Sequence, residues 1–169
     1  SGKSAFTMVN EENARVLHEK DVVFIERNHG KPFFLYYAPN NIHTPLTPKA
    51  KFRGTSQAGR YGDFVHELDW SVGELLATLD RLKLTGKTLV IFTSDNGGVY
   101  EKEGFGNGHR SCAPFNGQKV DVWEGGNRVP FLARWPGRIA AGATSAQLLC
   151  LTDMMATFAA LTGQTLPPG

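Results

Sequence analysis

Two cysteines, Cys112 and Cys150, are all the thiol chemistry in 169 residues. Two thiols make no disulfide framework, and they leave the redox compartment open. No apolar run approaches the ~20 residues of a membrane span, so no membrane partner is expected. Charge of one sign is scarce too: 18 basic residues face 16 acidic ones, a net +2, with no Lys/Arg block. That balance gives no footprint for nucleic acid or for a membrane surface. Internal repeats, low-complexity tracts and a signal peptide are also missing. Ser1-Gly2 and Leu166-Pro167-Pro168-Gly169 read as cut ends, and the chain is expected to be a fragment of a longer protein.

What is present is an ordinary globular mixture. Hydrophobic residues make up 41% and charged residues 20%, enough apolar material for one domain with a core. Residues 10–29 read as a helix, with Asn10 as a cap, Glu11 and Glu12 at its positive end, and Gly30 as its stop. Phe33-Phe34-Leu35-Tyr36-Tyr37-Ala38 is a short apolar run that fits a strand buried on both faces. Residues 61–83 form the clearest helix, with Phe64, Val65, Leu68, Val72, Leu75, Leu76, Leu79 and Leu82 in one stripe and Gly86 as the stop. A second buried strand is predicted at 88–93 and a third at 129–134, where Pro130 argues for an edge or a late start. A glycine-rich loop covers 97–117, and a last helix spans about 152–161 with Gly163 as its C-cap. Strands alternating with helices imply an α/β fold, a mostly parallel sheet flanked by helices, with 33–38 and 88–93 adjacent and parallel.

In such sheets ligands lie beyond the C-terminal strand ends. Two segments fall there: Asn40-Asn41-Ile42-His43-Thr44-Pro45 and Ser94-Asp95-Asn96-Gly97-Gly98. Asp95 and Asn96 offer hard oxygen donors, which suit Ca²⁺ or Mg²⁺ better than Zn²⁺. The same residues also make plain turns, and two side chains cannot complete a shell of about 6–8 oxygens. His43 can donate a proton near neutral pH, and Lys119 is a cation ahead of Trp123-Glu124-Gly125-Gly126. Alone, each of the two also reads as a surface residue.

Taken together, in order and spacing, these segments resemble the sulfatase family. The likeness runs through 33–38 with His43-Thr44-Pro45, the long helix, the strand ending Ser94-Asp95-Asn96-Gly97-Gly98, then Lys119, Glu124-Gly125-Gly126, Arg128-Val129-Pro130, Arg134-Trp135-Pro136-Gly137 and Thr152-Asp153. Residues 52–63 look especially like N-acetylgalactosamine-6-sulfatases. The resemblance implies a partial alkaline-phosphatase-like sulfatase fold, with residues 1–169 a fragment of a single catalytic domain. It implies that Asp95 and Asn96 are Ca²⁺ ligands, and that His43 and Lys119 are catalytic and bind the sulfate near its leaving oxygen. It implies a sulfated-sugar or aryl sulfate substrate and a secretory route: periplasmic, extracellular or lysosomal.

Family members use a formylglycine made from Cys in a Cys-x-Pro-Ser-Arg-type motif, and this motif is not in the sequence. Cys112-Ala113-Pro114-Phe115-Asn116 lacks the Ser and the Arg. Cys112 is therefore expected to be an ordinary loop thiol and Cys150, among leucines, a core residue. The nucleophile and the other acidic metal ligands are expected outside this chain, which alone should be inactive. An exposed surface where the remainder would pack gives it a route to dimerise. His109 and Arg110 could touch a sugar but read better as a solvated loop, and Arg128 as a structural partner of an acid. His18, His29 and His66 are given no chemistry. Two alternatives stay open: a phosphodiesterase-type hydrolase of the alkaline-phosphatase-like group, which Asn96 disfavours because an amide oxygen is a poor Zn²⁺ ligand, and a non-catalytic module.

Overall fold

The computed structural model describes residues 10–100 and 108–167. The expected caps Asn10, Glu11 and Glu12 belong to side chains outside the description, as do residues 101–107 of the glycine-rich loop. Two compact units are present, residues 1–139 and residues 140–169.

In the first unit, α1 (Asn10–Asn28) packs on α2 (Gly59–Arg81). Ile25 of α1 and Leu79 of α2 are buried with Leu84, and Phe24, Phe33, Leu35, Leu75, Leu76, Leu82 and Val90 close around them. Glu26 and Arg81 pair across the same seam at 2.5 Å. The buried face of α2 is less apolar than its sequence stripe suggests. Asp63, Glu67, Ser71 and Thr78 are buried there, and each is satisfied by a bond or an ion pair.

Gly86 does not end α2. The chain leaves the helix at Lys83, whose φ of 58° is left-handed. The Leu84 N–H then donates to the Leu79 carbonyl at 2.8 Å, and the Lys83 N–H to that of Asp80 at 3.0 Å. This is the Schellman closure, and the contact between Leu84 and Leu79 that accompanies it is part of the core. Gly86 instead lies in the following 3₁₀ turn, Thr85–Lys87.

β1 (Val90–Thr93) and β2 (Phe131–Arg134) form a two-stranded antiparallel sheet, with Val90 opposite Arg134 and Thr93 opposite Phe131. Pro130 sits just before β2, as its missing N–H requires. The expected parallel pairing of 33–38 with 88–93 is not formed among the described residues. Residues 33–38 are extended but belong to no ladder. Their burial alternates: Phe33 and Leu35 face the helices, whereas Phe34 is 71% and Tyr36 80% exposed. The helix layer covers only one face of this run, so the expectation of burial on both faces is corrected here.

The second unit holds one helix among the described residues, α4 (Asp153–Leu161). Gly163 ends it as expected, at φ 67°, with Gln164 N–H donating to Ala159 O at 2.8 Å. Cys150 is exposed rather than in a core, beside the exposed Leu148, Leu149 and Leu151. Its thiol pKa is lowered, chiefly by a hydrogen bond with the Thr152 side chain. Among the described residues no helix is long and apolar enough to cross a membrane.

Candidate functional site

β1 delivers the chain into the Asp95-Asn96 turn. Ser94 Oγ donates to the Asn96 carbonyl at 3.0 Å, and Asn96 Nδ2 to the Gly97 carbonyl at 2.9 Å. With its amide nitrogen committed, Asn96 keeps Oδ1 as an acceptor. Asp95 is exposed, and its carboxylate has no hydrogen bond or ion pair among the described residues.

The turn is fastened to the segment that carries Lys119. Gly97 N–H donates to the Gly126 carbonyl at 2.9 Å, and Lys119 N–H donates to the Gly98 carbonyl at 2.8 Å. The approach is close enough that a Cβ on Gly97 would collide with the Gly125 carbonyl oxygen. Backbone contact therefore explains Gly97 and the Gly125-Gly126 pair of the short helix α3 (Glu124–Asn127), while a Cβ on Gly98 would meet the Ser111 side chain. Cys112 packs into the same knot, buried, with its thiol donating to the Gly98 carbonyl at 3.3 Å. It is a buried loop thiol with a structural bond.

His43 sits on its own loop, at the rim of a cavity of about 240 Å³ lined by Asn40, His43, Thr44, Pro45, Thr47 and Phe64. The imidazole Nδ1 lies 2.7 Å from the Thr44 carbonyl, which accepts only if Nδ1 carries a proton. Nε2 is then the nitrogen left for chemistry. Among the described residues no hydrogen bond or ion pair joins His43 to Asp95, Asn96 or Lys119. The structure thus joins the backbone of the Asp95-Asn96 turn to that of Lys119, with no such bond from His43 among the described residues.

Most of the remaining candidates have structural partners. His109 stacks on Tyr61 of α2 at 5.2 Å, so it is no solvated loop residue, while Arg110 is exposed. Arg128 pairs with Glu124 at 2.9 Å, as expected, and covers the Phe115 ring at 4.9 Å. His66 bonds Thr55 at 2.8 Å. His18 is buried against Trp70, and burial is the main cause of its lowered pKa.

Sequence reasoning missed the anchors of the stretch that follows His43. The Asp63 carboxylate accepts the N–H groups of Gly54 at 2.8 Å and Ser56 at 2.9 Å. The Glu67 carboxylate, 2% exposed, holds the Lys49 ammonium at 3.3 Å and the Lys49 N–H at 2.9 Å. An acid placed on the apolar face of a helix was the available signal.

For a metal, the donor chemistry fits a hard cation. Asp95 supplies a carboxylate and Asn96 an amide oxygen, both hard donors. The set is incomplete, since no group of three His, Cys, Asp or Glu side chains converges among the described residues.

The chain as a whole is similar to known proteins. The family model named Sulfatase matches residues 9–164. An N-acetylgalactosamine-6-O-sulfatase of Bacteroides thetaiotaomicron is 40% identical over 98% of this chain and 33% of its own length. A Rattus norvegicus N-acetylgalactosamine-6-sulfatase is 44% identical over 85% of this chain and 28% of its own. A solved structure from work on the metabolism of multiple glycosaminoglycans by Bacteroides thetaiotaomicron superposes with a TM-score of 0.89 at 38% identity, over 95% of this chain and 34% of that one. The chain belongs to the sulfatase family. It spans about a third of the length of the curated relative that it matches over 98% of its own length.

Proposed function

We propose that this chain is the C-terminal part of a sulfatase catalytic domain that hydrolyses sulfate esters of sugars. The observation that carries the reading is the fastening of Lys119 to the Asp95-Asn96 turn through Gly98 at 2.8 Å. It joins the backbone of a lysine to the turn that carries two hard-oxygen donors, which supports a cation and a metal acting together on a bound sulfate. The names of the relatives, N-acetylgalactosamine-6-sulfatases from a bacterium and a mammal, support a sulfated amino sugar as substrate.

Asp95 and the Asn96 Oδ1 would hold Ca²⁺, which when bound withdraws charge from the sulfate oxygens. Lys119 places its ammonium against the sulfate and the ester oxygen. Cleavage of the S–O bond leaves the pair of electrons on that oxygen, and a cation there lowers the barrier. His43, protonated at Nε2, gives its proton to the leaving oxygen so that the sugar departs as an alcohol. The nucleophile, a formylglycine in the family, belongs to polypeptide outside these residues, as do the further acidic ligands and the strands of a larger, mostly parallel sheet. The family's secretory route is the proposed location. Asn96 argues against the phosphodiesterase alternative, because an amide oxygen is a poor Zn²⁺ ligand.

The test uses the complete protein on a sulfated N-acetylgalactosamine and on a chromogenic aryl sulfate, with phosphate diesters as controls. Asp95→Ala and Lys119→Ala are each expected to lower kcat by about 10²–10³, the usual cost of losing a charge-stabilising group. Normal rates in both variants, or faster turnover of the phosphate diester, would overturn the reading.

A further inference from the structure

Lys119 is the second residue of a β-turn, Gln118–Asp121, closed by the Asp121 N–H donating to the Gln118 carbonyl at 2.9 Å. The third residue, Val120, has φ 75°. That is the left-handed position which a type II turn gives to glycine or asparagine. A β-branched residue is strained there, and Val120, 91% exposed, has no packing to compensate. The Asp121 side chain closes the turn a second time: its Oδ2 accepts the Gln118 N–H at 3.0 Å. On one side Lys119 is bonded to Gly98 at 2.8 Å. On the other, the Asp121 carbonyl abuts α3, where a Cβ on Gly126 would collide with it and Asn127 Nδ2 donates to it at 3.4 Å.

We propose that Asp121 is a positioning residue for Lys119: its carboxylate, by holding the Gln118 N–H, keeps Val120 left-handed and so fixes the direction in which the lysine leaves the turn. Asp121 touches no substrate, and its action runs through the backbone of Gln118 and Val120. The inference rests on the role proposed above for Lys119. Without the carboxylate, Val120 relaxes to negative φ, the peptide after Lys119 rotates, and the ammonium moves off the sulfate. A misplacement of ~1 Å at a reacting centre can cost on the order of 10²-fold in rate.

The experiment measures kcat and KM of the complete protein on a chromogenic aryl sulfate, with thermal unfolding of every variant. Asp121→Ala is expected to lower kcat by about tenfold, a partial misplacement. Asp121→Asn, whose Oδ1 can accept the same bond, is expected to keep at least about half the rate, since the geometry is preserved. Asp121→Glu, with the charge but an added methylene, should lose rate as the alanine variant does, and it serves as the second test if Asp121→Ala does not fold. The decisive variant is Val120→Gly combined with Asp121→Ala. Glycine adopts φ 75° without strain, so kcat should return to within about threefold of wild type. A merely structural role for Asp121 would not be repaired this way. Asp121→Ala or Asp121→Glu at wild-type rate, or no recovery with Val120→Gly, overturns the proposal. Lys119→Ala separates the two claims. If it is inactive while Asp121→Ala is normal, only the positioning role fails; if it keeps its rate, the role of Lys119 fails and this proposal with it.

Discussion

Asp63 and Glu67 lie on the buried face of α2 with their carboxylates turned to backbone N–H groups of the stretch that follows His43. Asp63→Ala would strip the acceptor from the Gly54 and Ser56 N–H groups and is expected to cost roughly 2–4 kcal/mol, with a loss of order between Phe52 and Ala58. Denaturant unfolding gives the first quantity and proteolysis of the loop the second; a change below about 0.5 kcal/mol would show that water replaces the carboxylate. His18 provides the pH test. It is 7% exposed, stacked on Trp70, with Nδ1 unpartnered, and burial lowers its pKa below 6.5 against the opposing pull of Glu74, Asp21 and Glu19 and with the help of Lys49. The folded state therefore binds this proton less readily than the unfolded one. Above pH 6.5 both states are neutral here, and stability falls as pH drops through 6.5 towards the lower folded value. Tm is expected to fall in that window and to fall less in His18→Gln. The same slope in both proteins would assign the acid sensitivity to other groups.

α2 shows how much of an element its sequence displays. Its existence and extent follow from the apolar spacing, yet the stop at Lys83 does not, because nothing in the composition of Lys83 favours a left-handed residue while Gly86 invites the choice. What fixes the end is tertiary: burying Leu84 against Leu79 requires the chain to reverse at Lys83. Lys83→Gly is accordingly expected to stabilise the protein by about 1 kcal/mol, the strain of a left-handed residue bearing a side chain, and to raise Tm. An unchanged or lower Tm would mean that the lysine stem packs on the helix end. The strands teach a similar lesson. Residues 90–93 and 131–134 pair, but antiparallel, and 33–38 stay outside the sheet, since an apolar run reports burial and not the direction or identity of its neighbour. Likewise Cys150, set among leucines, reads as core but is exposed, because no layer covers that stretch within its own unit.

For the molecule as a whole, motif order put Asp95, Asn96 and Lys119 in one candidate site, and the bonds of Gly97 to Gly126 and of Lys119 to Gly98 join the backbones of those segments. Among the described residues no bond ties His43, which lines a cavity with Thr47 and Phe64, to them, and the donor set for a cation is incomplete. That incompleteness sets the last expectation. One carboxylate and one amide oxygen leave most of a Ca²⁺ shell unfilled, and affinity follows the number and rigidity of charged ligands. The 169-residue chain by itself is expected to bind Ca²⁺ no tighter than about 1 mM and to turn over no aryl sulfate, and the complete protein is expected to bind the ion tightly and to turn the ester over. Large apolar side chains stand open on the chain, among them Phe34, Tyr36 and Leu132. Such surface drives association, so sedimentation velocity should show species that grow with concentration. Calorimetric titration of Ca²⁺ at protein concentrations where the chain is monomeric keeps the two effects apart. Micromolar binding there, lost in Asp95→Ala, would mean that the ligands missing from the described residues lie within this chain after all.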